Sequence, residues 1–436
     1  MEPYMKKTLF SELRTIYETT AEDPHTFRLS IKLKDLIDGD ILRNAANRAG
    51  TRYPYFSVRM KRSGADIFFE SNPLPLPVIE TNERIALGSA ATNHHLLALC
   101  YWQNWLHIDC YHALTDGGGI RPFVMTLLHL YLSDYYGIEL DAANVRLPGS
   151  PVPEEEWNDP AEQLLSAKRE GLTSKWFAPA FQLEEKHVHL QPESIVTTIA
   201  ISENEFIPYS ISNDGSPATI ISLLLARSLD MVHPDAADPI VIAMCVNQRN
   251  ALRAPLAHQS LVGDVRLVYT DRMKHLPFMH QATCFRGMVA LQSDREMVLD
   301  EIRDYQDLMR ELNKKKTFDE RHALCVHRME DLSKCVTATV SYIGKINMGP
   351  MEQYLQEFDP LPSTALPSMH TPLTIEMVSM NGSIVLNFIQ YFTEMDYFSL
   401  FVKQLRDNDI RYNVLRQEKA LYPLLEMPDE SLHLQC

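Results

Sequence analysis

His112 and Asp116, four residues apart in the run CYHALTDGGG over 110–119, are the residue types here that could do chemistry. An imidazole can take the proton of an alcohol or amine as that group attacks a carbonyl. Asp116 is too near in sequence to be assumed a relay carboxylate, and at four residues across a turn it suits holding the loop. The glycines after it let the backbone turn sharply and let a substrate come close. By spacing alone, His-x-x-x-Asp-Gly fits two readings. One is a general base at a rigid junction; the other is a loop histidine beside a turn aspartate.

The elements around the motif decide what it can reach. Two apolar runs flank Gln103–Asn104 in HHLLALCYWQNWLHIDCYH, which reads as a hairpin with Trp102 and Trp105 packing beside its turn. In its second strand Leu106, Ile108 and Cys110 share a face, and the period of two carries His112 onto that face if the strand runs that far, while Tyr111 points away. Residues 118–137 then read as a helix with an apolar stripe from Ile120 to Tyr135 and Gly137 as its cap. A side chain at such a strand–turn–helix junction is held by rigid elements yet can face a cleft.

The rest of the chain interleaves strands and helices. Residues 38–50 read as a helix, and YFSVRMKRSGADIFFE as a hairpin around Ser63–Gly64. LPGSPVPEEEWNDP, 147–160, is the strongest linker signal, with Glu154–Glu155–Glu156 read as a solvated loop. Beyond about residue 190, SIVTTIAI, PIVIAMCV, VTATVSYIG and SIVLNFIQYF read as strands. ATIISLLLARSLDMV and MDYFSLFVKQL read as helices, and MVALQSDREMVLDEIRDYQDLMREL as one long amphipathic helix. The class is α/β or α+β with mixed sheets.

Composition sets further bounds. With 436 residues, two domains, or roughly three, are expected. The net charge of −16 argues against nucleic acid or an anionic membrane as the main partner. Seven cysteines without a Cys-x-x-Cys pair suggest reduced thiols, and no apolar leader or 18-residue apolar run is present, so a cytoplasmic address without a membrane span is expected. His94–His95 and His187-x-His189 lack carboxylates or cysteines at ligand spacing, and no metal site is expected there. No nucleotide-binding glycine loop and no Gly-x-Ser-x-Gly is present.

LHIDCYHALTDGGGIRPFVMTLLHLYL resembles the signature strand, His-x-x-x-Asp-Gly turn and helix of the chloramphenicol acetyltransferase-like superfamily, which includes alcohol acetyltransferases and condensation domains. DGDILRNAANRAGTRYPYFSVRM is similar to the N-terminal helix and Arg-Tyr-Pro turn of its bacterial alcohol acetyltransferase-like branch. PIVIAMCVNQRNAL resembles the strand ending in an Asn/Asp-x-Arg step, and VSYIGKI the Ser-Asn-x-Gly strand end. The resemblance implies two halves, each a mixed β-sheet flanked by helices, with a tunnel between them. Residues 1–186 would form the N-terminal half and 187–436 the C-terminal half.

The resemblance further implies an acyltransferase without a permanent cofactor. The co-substrate would be acyl-CoA or an acyl carrier protein thioester, and the acceptor a small alcohol or amine. His112 would be the general base, Asp116 a structural residue paired with Arg249, and Gly117 and Gly118 the shapers of the turn. Ser341 would serve the oxyanion. The sequence departs from the pattern at Tyr111, where many members have a second histidine, and at Tyr342, where the asparagine would stand. Those two substitutions are what favours the alternative of a condensation-like module acting with carrier proteins without catalysis. A third reading is a metal-dependent hydrolase built on His112, Asp116 and distant histidines.

Overall fold

A computed structural model describes residues 5–7, 15–160, 177–184, 186–363 and 371–429. It has two large sheets flanked by helices, as the resemblance implies, beside two small ones. The first is five-stranded, in the order Leu355–Pro362, Thr26–Leu33, Trp105–Tyr111, Leu97–Trp102 and Val78–Glu80. The second is seven-stranded and mixed. Val262–Tyr269, Ile240–Asn247, Ala338–Lys345, Leu373–Met380, Ser383–Phe392, Leu190–Ser202 and Tyr412–Lys419 lie side by side. Its three strands starting at Ile240, Ala338 and Leu373 run parallel, and the other pairs are antiparallel.

Each sheet owns a core. Helices Gly39–Arg52 and Arg121–Tyr136 cover the first, burying Leu42, Ala46, Phe123, Leu127 and Tyr131 against Ile31, Leu99 and Ile108. Asp38 starts the earlier helix by accepting from the N–H groups of Asp40 and Ile41, at 2.9 and 3.1 Å. Gly137, at φ +62°, ends the later one. Helices Pro217–Val232, Phe278–Gln292 and Asp396–Asp407 cover the second sheet, with Ile220, Leu224, Phe285 and Phe401 buried. Two segments from late in the chain join the first half. Leu355–Pro362 pairs antiparallel with Thr26–Leu33, and Leu424–Leu425 pairs with Ala86–Leu87.

Three sequence expectations need correction. The long amphipathic segment is two helices, Phe278–Gln292 and Arg295–Leu312, because Asp294 caps a new start by accepting from Glu296 N–H. The acidic run at 154–156 is not wholly solvated: Glu154 and Glu155 are exposed, but Glu156 is buried and ion-paired with Arg52 at 2.8 Å. Trp102 is an exposed neighbour of the hairpin turn, whereas Trp105 stacks on His107. Residues 161–176, into which the linker leads, lie outside the described residues. Among the described residues no helix is long and apolar enough to cross a membrane.

Candidate functional site

The strand Trp105–Tyr111 ends one residue before His112, whose N–H donates to the His25 carbonyl at 2.8 Å. The ring is half-buried. Its neighbours are the edge-on ring of Phe27, 5.2 Å between centroids, and Ser260 Oγ, 3.3 Å from Nδ1. Phe27 comes from the first half and Ser260 from the second, so the imidazole is held from both sides.

Asp116 folds the turn. Its Oδ1 accepts from the N–H groups of Gly118 and Gly119 at 2.9 and 2.8 Å. These bonds delay the helix, which starts at Arg121. From the second half Arg249 grips the same carboxylate through both Nη atoms, each at 2.9 Å, and Leu261 N–H adds a bond of 2.8 Å. Burial opposes the charge on Asp116, but Arg249 and the backbone donors outweigh it and hold the carboxyl below its ordinary value. Arg249 is itself fixed by donating to the carbonyls of Ala257 and Gln259, at 2.7 and 2.6 Å.

The glycines serve close approach between the halves rather than positive φ. A Cβ on Gly117 would lie 2.2 Å from Ile343 Cγ2, and one on Gly119 would lie 2.2 Å from the His258 carbonyl oxygen. Gly118 has more room, 3.1 Å from Arg249 Nη1. The residue with least room is therefore Gly119, which sequence reasoning did not single out.

Sequence reasoning also missed a buried network beside the turn. His258 N–H donates to the Glu156 carbonyl at 2.8 Å, and Thr115 Oγ1 donates to the His258 carbonyl at 2.6 Å. Tyr55 Oη lies 2.6 Å from His258 Nδ1 and donates to Glu156 at 2.9 Å. Arg146 faces His258 Nε2. Burial, then Arg146, pushes the His258 pKa down to about 3. A neutral ring carrying its proton on Nδ1 satisfies both contacts: Nδ1–H donates to Tyr55, and Nε2 accepts from Arg146. These residues come from segments around 55, 115, 146, 156 and 258, so no local pattern announces them.

A cavity of about 510 Å³ opens over this junction. Its lining includes His112, Asp116, Gly117, Gly118, Arg249 and Ser341, which brings together all the residues singled out from the sequence. Ser341 sits on the second-half wall beside Glu376, its register partner on the next strand. Its hydroxyl lies beside Glu376, whose pKa burial pushes up to about 8. Tyr342, on the opposite face of that strand, bonds Ser379 Oγ at 2.7 Å instead. Among the described residues no group of three or more His, Cys, Asp or Glu side chains could hold a metal ion. His94 and His95 bond the carbonyls of Gly88 and Leu74.

No family model matches this sequence, and no curated protein matches it. Solved structures do. The trichothecene 15-O-acetyltransferase TRI3 from Fusarium sporotrichioides is 12% identical, covers 92% of this chain and 94% of its own, and superposes with a TM-score of 0.58. The condensation domain of the Monacolin K polyketide synthase MokA gives 11%, 93%, 96% and 0.56. F. sporotrichioides TRI101, complexed with coenzyme A and T-2, gives 9%, 94%, 100% and 0.59.

Proposed function

From the chloramphenicol acetyltransferase-like fold that this chain has, we propose that it is an acyltransferase. It moves an acyl group from a thioester, of coenzyme A or of a carrier protein's pantetheine arm, to an alcohol or amine. The observation that carries the reading is the position of His112. Its imidazole lines a cavity walled by both halves, on a turn that Arg249 ties across them through Asp116. The coenzyme A complex of TRI101 supports coenzyme A as the donor.

In this reading the cavity continues as a passage, donor entering from one side and acceptor from the other. A nitrogen of His112 takes the acceptor's proton as its oxygen or nitrogen bonds to the thioester carbonyl carbon. The carbonyl becomes a tetrahedral oxyanion, to which Ser341 supplies a hydroxyl donor. The oxyanion collapses, the carbon–sulfur bond breaks, and the thiolate recovers the proton from the imidazolium. No acyl-enzyme forms. Such a base contributes about 10²–10⁴-fold, and holding two substrates in line supplies much of the remainder. Asp116 and Arg249 are positioning residues, since they act through the turn.

The test is thiol release from acetyl-CoA and longer acyl-CoA with a panel of alcohols and amines. His112→Ala is expected to lose about 10²-fold or more while still binding coenzyme A by calorimetry. Undiminished turnover in the variant removes His112 from the chemistry. A protein that ignores coenzyme A but accepts carrier-bound thioesters takes its donor from a carrier instead.

A further inference from the structure

The second sheet alternates across the strands that back the cavity. Met244, Val340, Ile375, Leu386 and Ile199 point into the helical core. The opposite face carries Cys245, Ser341, Glu376, Asn387 and Thr198, a polar row crossing five neighbouring strands. Cys245, Ser341 and Glu376 of that row, with Thr339 and Thr374 one pleat away, line the same cavity as His112.

Most of this row is satisfied from within the protein. Thr198 Oγ1 donates to Asn387 Oδ1 at 2.7 Å, and the Asn387 amide donates to Asp359 and to the Pro360 carbonyl. The other carboxylates on the cavity are engaged as well: Asp116 is held by Arg249, and Glu18 has interactions inside the protein. Glu376 differs. It is 8% exposed, its neighbours are the Ser341 hydroxyl and the Cys245 thiol, and no cation among the described residues pairs with it. Burial without a counter-charge is why its pKa rises to about 8. A carboxyl in that state gains most from a ligand that brings the missing positive charge.

We infer that Glu376 sets acceptor specificity by receiving a protonated amino group of the acceptor, with Ser341 and Thr374 beside it. The inference rests on the acyl-transfer reading and narrows it. The acceptor is an amino alcohol or polyamine that presents one oxygen or nitrogen to His112 and a second, charged nitrogen to Glu376. The scale suits this. His112 and Glu376 line the same cavity of about 510 Å³, so two separate atoms of one small molecule lying in it can reach both groups.

The experiment compares aminopropanol, aminohexanol and aminooctanol with propanol, hexanol and octanol. Binding is read by calorimetry without a thioester, and turnover by thiol release from acetyl-CoA. At least one amino alcohol is expected to bind about tenfold or more tightly than its plain counterpart. Glu376→Gln brings that ratio close to one by weakening the amino alcohol. Glu376→Met, an apolar side chain of similar length, does the same and keeps the test open should the glutamine variant fold poorly. Equal affinities for each matched pair, or a preference that survives both substitutions, overturns the inference. The acyl-transfer reading fails separately: calorimetric discrimination persists while thiol release is absent with every acceptor, or while His112→Ala leaves turnover intact.

Discussion

Replacing Arg249 with methionine isolates the brace beneath His112. The substitution leaves Asp116, 1% exposed, with its charge and three backbone donors, from Gly118, Gly119 and Leu261. It also strips a donor from the carbonyls of Ala257 and Gln259. Breaking a buried ion pair by removing one partner costs about 3–5 kcal/mol. The remaining donors pull the value toward the lower end, and the two orphaned carbonyls pull it back. We expect about 4 kcal/mol, and about 2 kcal/mol for Arg249→Lys, which keeps the charge but loses the two-pronged grip. Urea unfolding followed by tryptophan fluorescence measures both. In the acyl-transfer assay Arg249→Met is expected to lose more than about tenfold in kcat, because the turn that aims the imidazole relaxes. A stability loss below about 1 kcal/mol with turnover preserved would refute the reasoning, since the pair would then neither hold the halves together nor place the ring.

Gly119→Ala forces a methyl group to within 2.2 Å of the His258 carbonyl and is expected to destabilise by about 2–3 kcal/mol. Gly287→Ala, in open space on helix Phe278–Gln292, is expected to stabilise by about 0.5–1 kcal/mol, and equal effects at both sites would contradict the packing argument. His107 and His258 are both depressed to about 3, chiefly by burial, against about 6.5 in an unfolded chain. Protonation therefore favours unfolding: the stability these rings contribute is present above pH 6.5 and is lost as pH falls toward 3, at up to about 1.4 kcal/mol per pH unit for each. Unfolding free energy measured between pH 6.5 and 5 should fall accordingly, and His258→Gln should remove about half of that slope; an unchanged slope counts against the buried neutral ring.

What could be read along the chain was what local rules control. Gly137 marks a helix end and the Gln103–Asn104 hairpin follows from alternation, whereas the strand stops at Tyr111, just short of the point where a period of two could place His112. The break at Ser293–Asp294 was passed over because apolar spacing continues through it, while the cap that resets the helix is a single aspartate. Strand Leu355–Pro362 was unreadable for a different reason. Pro360 and Pro362 argue against a strand, yet an outermost strand tolerates them because one of its sides needs no donor. The carboxylate of Glu156 and the ring of His258 are neighbours, through Tyr55, only because segments some hundred residues apart come together. Glu376 sits in a strand whose apolar companions conceal it; only the pairing of Ser341 with Glu376 reveals which way it faces.

The strand Leu355–Pro362 also governs when the protein can mature. A ribosome releases residues 26–111 early, but the outermost strand of their sheet emerges some 250 residues later, and until then Thr26–Leu33 presents a bare edge. The first half thus waits for nearly the whole of the second to be synthesised. A chain cut anywhere before residue 355 would leave a sticky, unfinished sheet rather than a smaller folded protein.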